Sequence, residues 1–531
     1  GQVQRGEWRW VIVVAALVVA ASTLPYLAGF LAQTADWTFG GSIMDQVDYH
    51  TYLAKMWQGH QGSWRYEVPY TTESHEGAYL VTFYLVLGHL ARLTGMSLPL
   101  IYQVARVAFG FIMLLAVYRF IALFASPLRT RRLAFLLATT ASGLGWLTEI
   151  VAPTAAGGVS PMEFWLLDAY TYLAVLIFPH FSAAIVLLLA IYVLLLRQPE
   201  GPSLREAGLA ILSSVALGVI HPFALLLADL VPALYWAAVW LRNRQVNWRG
   251  LAAVLAMGVA QLPILVYDLW VFRQPVYAGW SAQNITLSPP LPVYLWGYGL
   301  LILLGAAGVV AWARRDMPGL AFPVIWIVLV AILAHLPWNL QRRFLEGVQV
   351  PLGLLAGVGL AEALVTETRG RKAARLRWLS VALLVSLMSM SNLYLTLGHT
   401  LAAAARSPAL FWPASTTASV DWLGKNSQPE DVILADFKVG SLIPGRIGRR
   451  VVLGHWMETV NYKEKADLVS RFFDAATSPE ERFGLLLHHG VGYVFYGPEE
   501  RALGNFDPNS VDYLKPVFSN DPVSIYRVDL P

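Results

Sequence analysis

Residues 10–32 read WVIVVAALVVAASTLPYLAGFLA, with no charged side chain in the run. A helix needs roughly 20 apolar residues to cross the hydrocarbon core of a bilayer. The apolar core of a secretory signal is shorter, about 7–15 residues, and ends at a small-residue cleavage site. The run therefore reads as a retained membrane span. The composition extends this reading to the whole chain: of 531 residues, 56% are hydrophobic and 14% charged, against about 45–50% and about 25% in soluble domains. The missing charge falls in long uncharged runs, so the expected fold class is an α-helical polytopic membrane protein. The net charge of +4 does not argue for nucleic acid as a partner, because the basic residues sit in short loops between apolar runs, where they set topology. There is no cysteine, which removes disulfides and thiolate metal sites. The first residue is Gly1 rather than Met, so a preceding piece is expected.

Working outward, ten further spans are expected near 99–124, 133–151, 171–196, 206–220, 222–241, 250–272, 292–312, 319–337, 345–365 and 378–400. The fifth and sixth spans overall are one apolar stretch interrupted at His221-Pro222, where proline disfavours helix in the preceding residue and removes a donor. Cytoplasmic loops collect Lys and Arg. Counting from the N-terminus, the loops holding Arg129, Arg131 and Arg132; Arg197 and Arg205; Arg242, Arg244 and Arg249; Arg314 and Arg315; and Arg369, Arg371, Lys372, Arg375 and Arg377 all fall on one side, with Arg5 and Arg9. This predicts a multi-pass plasma-membrane protein with a cytoplasmic N-terminus and an extracytoplasmic C-terminus.

Two units are then expected: a membrane domain over 1–405 that includes a large external loop at 33–98, and a small extracytoplasmic α/β domain at 416–531. In the loop, GAYLVTFYLVLGHLARLTG (77–95) is amphipathic and suits the membrane interface. In the C-terminal part, VILAD (432–436), RVVLGHW (450–456) and VGYVFYG (491–497) read as strands, and 463–476 and 479–489 as helices. No internal repeat stands out, which weakens a transporter reading.

Directly after the first span and a short link comes GSIMDQVDYHTYLAKMWQG (41–59). If 45–57 is helical, Asp45, Asp48, Tyr49, Tyr52 and Met56 share a face, and the two carboxylates stand close together at the water–membrane boundary. A carboxylate there can serve as general base for an incoming hydroxyl. Two can hold a divalent cation, Mg or Mn, through oxygen ligands. The plain alternative is that Asp45 is an N-cap acid favoured by the helix dipole.

The spacing of Asp45, Tyr49, Met56 and Gly59 resembles the first external loop of the GT-C membrane glycosyltransferases, most closely the branch of protein O-mannosyltransferases and lipid A aminoarabinose transferases. HEGAYLVTFYLVLGHLARLTG (75–95) resembles their interfacial helix, and YQVARVAFGFIMLLAVYRF (102–120) their second span, with Arg106 in the matching place. Two departures stand out: Gln46 where a second acid is common, and His75-Glu76-Gly77-Ala78 without the family's prolines. The resemblance implies transfer of a sugar from a polyprenyl-phosphate-linked donor to an acceptor lipid, glycan or protein. It gives Asp45 and Asp48 catalytic roles, and gives Tyr49, His75, Glu76 and Arg106 contacts with the substrate.

The remaining candidates are weighed on the same terms. Arg342 and Arg343 in WNLQRRFLEGVQVP (338–351) form an adjacent basic pair in an external loop, suited to a lipid phosphate or else to snorkelling with Glu346 as partner. His180 and His221 stand beside prolines near span ends, as functional suspects or as neutral histidines bonded to freed carbonyls. Asp168 and Glu149 flank the second external loop and are candidates for a metal or acceptor site, with solvated loop acids as the plain reading. Asp229 and Asp268 fall within predicted spans, and no role is assigned to either. In GRRVVLGHWMET (448–459), His455 and Glu458 are possible acceptor contacts, with a strand and capped turn as the plain reading. Two other functions compete with the transferase: a transporter or flippase of a lipid-linked or anionic solute, and a non-catalytic scaffold on the same fold.

Overall fold

A computed structural model of the chain describes residues 3–154, 160–315, 317–363 and 371–529. The expected basic loop residue Arg369 lies outside them. Each predicted span is helical over most of its described residues. Among the described residues, five helices are long and apolar enough to cross a membrane alone: α1 (Arg5–Leu31), α4 (Leu98–Phe124), Pro179–Leu196, Pro222–Asn243 and Trp248–Val271. Three bent helix pairs are together long and apolar enough to form a broken span or a re-entrant loop: Leu128–Thr140 with Gly145–Val151 at 43°, Leu291–Tyr298 with Leu300–Arg315 at 89°, and Ala374–Met388 with Met390–Ala404 at 51°. Ala321–Leu333 and Gln349–Ala363 are shorter than expected. The break at His221-Pro222 is real: one helix ends at Ile220, and Pro222–Ala224 forms a 3-10 turn before the next begins at Leu225. The protein is a multi-pass membrane protein.

The chain divides into two compact units. One, mostly helical, holds residues up to 24, 105–266 and 286–399; the other holds 25–104, 267–285 and the chain from 400 onward.

In the second unit, α2 (Gln46–Gln61) and α3 (Thr82–Thr94) cross at a glycine contact. A Cβ on Gly59 would lie 2.1 Å from the Leu85 carbonyl oxygen, and one on Gly88 would lie 2.0 Å from that of Met56, so only glycine permits the approach. Helix α3 starts later than the amphipathic segment suggested, because Val81 is held at φ 49. Its exposed side carries Val86, Leu90 and Leu93, an apolar stripe of the kind that lies in a membrane interface. Strand β1 (Trp37–Phe39) pairs antiparallel with β2 (Phe411–Pro413). A five-stranded sheet follows in the order β4-β3-β5-β7-β6, built from β3 (Val432–Leu434), β4 (Arg450–Val451), β5 (Val491–Tyr496), β6 (Leu514–Asn520) and β7 (Val523–Val528). The β3 contacts are parallel, and the β5–β7–β6 contacts antiparallel. Alternate residues face two cores. Ile433, Phe495 and Ile525 pack with Tyr66, Tyr70 and Tyr277. Val432, Leu434, Val494 and Tyr526 pack with Phe472, Phe473 and Leu486 on Tyr462–Phe473 and Pro479–His488. The strand expected over 450–456 stops at Val451, since the chain turns from Gly454 into a hydrogen-bonded loop in which Thr459 accepts from the Gly454 N–H.

Candidate functional site

The site begins where α2 begins. Asp45 is its N-cap, but at φ 44, ψ 55, in the left-handed region, with no side-chain capping bond. The helical face drawn through Asp45 therefore needs correcting: Asp45 stands outside the helix, exposed, while Tyr49 and Met56 point into the interior at 1% and 0% exposure. Left-handed backbone is uncommon outside glycine, though Asp tolerates it better than most residues. Such strain concentrates at functional positions.

Asp48 and Lys55, two turns apart, take partners from the loop after β4. The Met457 N–H donates to Nδ1 of His455 at 3.2 Å. That leaves the proton on Nε2, which donates to Asp48 at 2.8 Å. Lys55 Nζ donates to Glu458 at 2.8 Å, both side chains being almost fully buried, and the Tyr66 hydroxyl donates to the same carboxylate. The rings of Tyr52, Tyr66 and Trp280 stand 5.0, 5.4 and 5.6 Å from the ammonium, close enough for cation–π attraction. His455 and Glu458, weighed as acceptor contacts, are thus occupied by α2. Lys55 was not singled out in the sequence, although its seven-residue offset from Asp48 puts both on one face.

His75 Nε2 accepts from the Val68 N–H at 2.9 Å and Nδ1 donates to the Glu73 carbonyl at 2.8 Å, and burial holds its pKa below the usual histidine value. Glu76 exposes its side chain, and its carbonyl accepts from the Tyr277 hydroxyl. Glu73 accepts from Lys465 at 2.6 Å. That cation holds the Glu73 carboxyl below its ordinary value, against the opposing effect of partial burial.

In the helical unit, Arg106 is 1% exposed and donates to Ser22, Thr23 and the Val175 carbonyl at 3.1–3.3 Å. Asp168 is buried rather than solvated. Arg343 reaches it at 3.2 Å and Arg342 at 3.9 Å, and the Arg342 guanidinium stands 5.8 Å from the Trp165 ring. Glu346, weighed as the arginines' partner, pairs with His221, whose ring lies 6.2 Å from that of His180. Asp229 accepts from Gln261, and Glu149 from the Thr154 N–H. Among the described residues no three His, Asp or Glu side chains are grouped to hold a metal.

Solved structures with this architecture are GT-C membrane glycosyltransferases. The Archaeoglobus fulgidus oligosaccharyltransferase, tethered to an acceptor peptide containing the NVT sequon, superposes with a TM-score of 0.58 at 14% identity, over 93% of this chain and 69% of that one. ArnT from Cupriavidus metallidurans, bound to undecaprenyl phosphate, gives 0.54 at 13% identity over 99% and 98%. The mycobacterial arabinofuranosyltransferase AftD gives 0.54 at 14% identity over 100% and 40%. No family model and no curated protein matches the sequence. The chain has the GT-C fold.

Proposed function

We propose that the chain is an integral membrane glycosyltransferase. It moves a sugar from a polyprenyl-phosphate-linked donor to an acceptor lipid, glycan or protein on the extracytoplasmic face, with Asp45 as general base. The observation that carries this reading is the exposed, left-handed Asp45 at the head of α2 in a chain of GT-C fold. The undecaprenyl phosphate bound to ArnT and the peptide tethered to the oligosaccharyltransferase support the two substrate classes.

The chemistry follows from the residues. The Asp45 carboxylate takes the proton of the acceptor hydroxyl as its oxygen attacks the anomeric carbon. The bond from that carbon to the phosphate oxygen breaks through an oxocarbenium-like state, and the lipid phosphate leaves with the electron pair. Arg342 and Arg343, two permanent cations sharing one carboxylate, stabilise the leaving phosphate. Asp48, fixed by His455, orients the acceptor beside Asp45; Tyr49, His75 and Glu76 shape that end of the loop; and Arg106 and His180 serve the donor.

General-base removal costs about 10²–10⁴ in rate. Asp45→Asn should therefore keep the wild-type unfolding temperature while the glycosylated polyprenyl phosphate accumulates relative to the sugar-free lipid, as read by mass spectrometry of membranes. An unchanged ratio in a folded Asp45→Asn protein would exclude Asp45 as the base.

A further inference from the structure

At the end of the helical unit where α1 begins, arginines outnumber acids. Arg131, 5% exposed, turns inward: it donates to Glu7 at 3.0 Å and to the Ala125 carbonyl at 2.6 Å. Arg129 and Arg132 stand three residues apart on the helix Leu128–Thr140, a spacing that puts both on one side. Their guanidinium groups lie 4.9 Å from the Trp378 ring and 5.0 Å from the Trp10 ring. Arg377 is near enough to Arg129 for the two charges to act on each other. Among the described residues no carboxylate pairs with Arg129 or Arg132, since Glu7 goes to Arg131.

An orientation signal needs basic residues on one side of the membrane and nothing more. These arginines are also positioned. Arg129 and Arg132 are half-buried, each against an indole from another helix, where cation–π attraction holds the cation in place. Like charges set side by side repel unless an anion joins them. The neighbouring surface is apolar. Trp378 is 48% exposed, and further along the same helix Leu379, Leu383 and Leu387 are exposed in one i, i+4 row. Tryptophan marks the head-group level of a bilayer. A cationic patch thus continues into an apolar row.

We infer that this face holds an anionic phospholipid of the bilayer, its head-group phosphate on Arg129, Arg132 and Arg377 and an acyl chain along Leu379, Leu383 and Leu387. A phosphodiester carries the charge that guanidinium groups match, and its acyl chain covers leucines that a soluble phosphate leaves bare. A zwitterionic lipid brings its own ammonium, which the arginines repel. The site uses none of the residues placed in the transferase and stands apart from that reading.

The test uses the full chain in mild detergent and native mass spectrometry, with dioctanoyl phosphatidylglycerol, dioctanoyl phosphatidylcholine and inorganic phosphate as probes. An arginine beside an anionic head group is worth roughly a fivefold change in affinity. Phosphatidylglycerol should bind, with neither phosphatidylcholine nor phosphate displacing it, and Arg129→Gln/Arg132→Gln should weaken it about twentyfold. Leu383→Gln, at an exposed position, should weaken the same adduct, while Arg342→Ala/Arg343→Ala should leave it unchanged. Equal binding of the two lipids, displacement by phosphate, unchanged binding in the Arg129/Arg132 variant, or loss only in the Arg342/Arg343 variant would overturn the site.

Discussion

In the unit that holds α2, basic and acidic side chains meet one to one: Lys55 with Glu458, His455 with Asp48, Lys465 with Glu73. In the helical unit, Arg342 and Arg343 converge on the single carboxylate of Asp168. The first arrangement neutralises itself and ties α2 and its loop to the C-terminal segment, as a structural clamp does. The second joins two guanidinium groups to one carboxylate. The same residue types thus meet in different ratios in the two units.

The contrast breaks most visibly at Lys55. Taking one partner from a buried ion pair costs about 3–5 kcal/mol, whereas replacing both by apolar residues of similar volume is often neutral. Glu458→Ala should lower the unfolding temperature strongly in nanodiscs, and Lys55→Met with Glu458→Leu should recover most of the loss. A double variant as unstable as the single one would mean that the pair does more than neutralise itself.

A smaller effect is expected from a buried acid outside these pairs. Glu500 accepts from the Asp436 and Gly497 N–H groups at 2.8 and 2.9 Å. Burial first, then the Asp436 carboxylate, pushes its pKa up to about 8 from 4.5. The folded form then holds a proton that the unfolded form has lost. This contribution is full below about pH 4.5 and disappears as pH rises through 8. Thermal unfolding followed from pH 6 to 9 should show a decline in stability that Glu500→Gln removes; the same slope in that variant would assign it elsewhere.

The smallest effect belongs to Asp48, whose side chain is 31% exposed. A partly solvated pair is worth about 1 kcal/mol or less. Asp48→Asn should barely move the unfolding temperature, so any large loss of transfer in that variant reports chemistry rather than folding.

Much of this architecture is legible in the sequence, because bilayer thickness imposes a length on every apolar run and proline marks the break at His221-Pro222. The hairpin of β6 and β7 is not legible in the sequence: Leu514–Asn520 contains Pro516 and does not alternate apolar with polar residues, so it lacks a strand signature. The apolar run through Val452 and Leu453 extends the expected strand past Val451, but both are buried without pairing as strand. The site was legible as an acidic, aromatic segment, but not in its details. The left-handed turn at Asp45 carries no local signal, since nothing in its residue type demands positive φ. The burial of Asp168 depends on arginines distant in sequence. The Lys55–Glu458 pair did leave a trace: Asp48 and Lys55 two turns apart on α2 match His455 and Glu458 three residues apart in the loop they meet. Neither spacing means anything until the two are placed opposite each other.

The most direct test of lipid-linked transfer is mass spectrometry of lipids retained by the gently purified protein, wild type against Arg342→Ala/Arg343→Ala. The account predicts a polyprenyl phosphate or its glycoside with the wild type and its loss from the double variant, with the fold intact. Bulk phospholipid alone in both preparations, or equal polyprenyl phosphate in both, would contradict it.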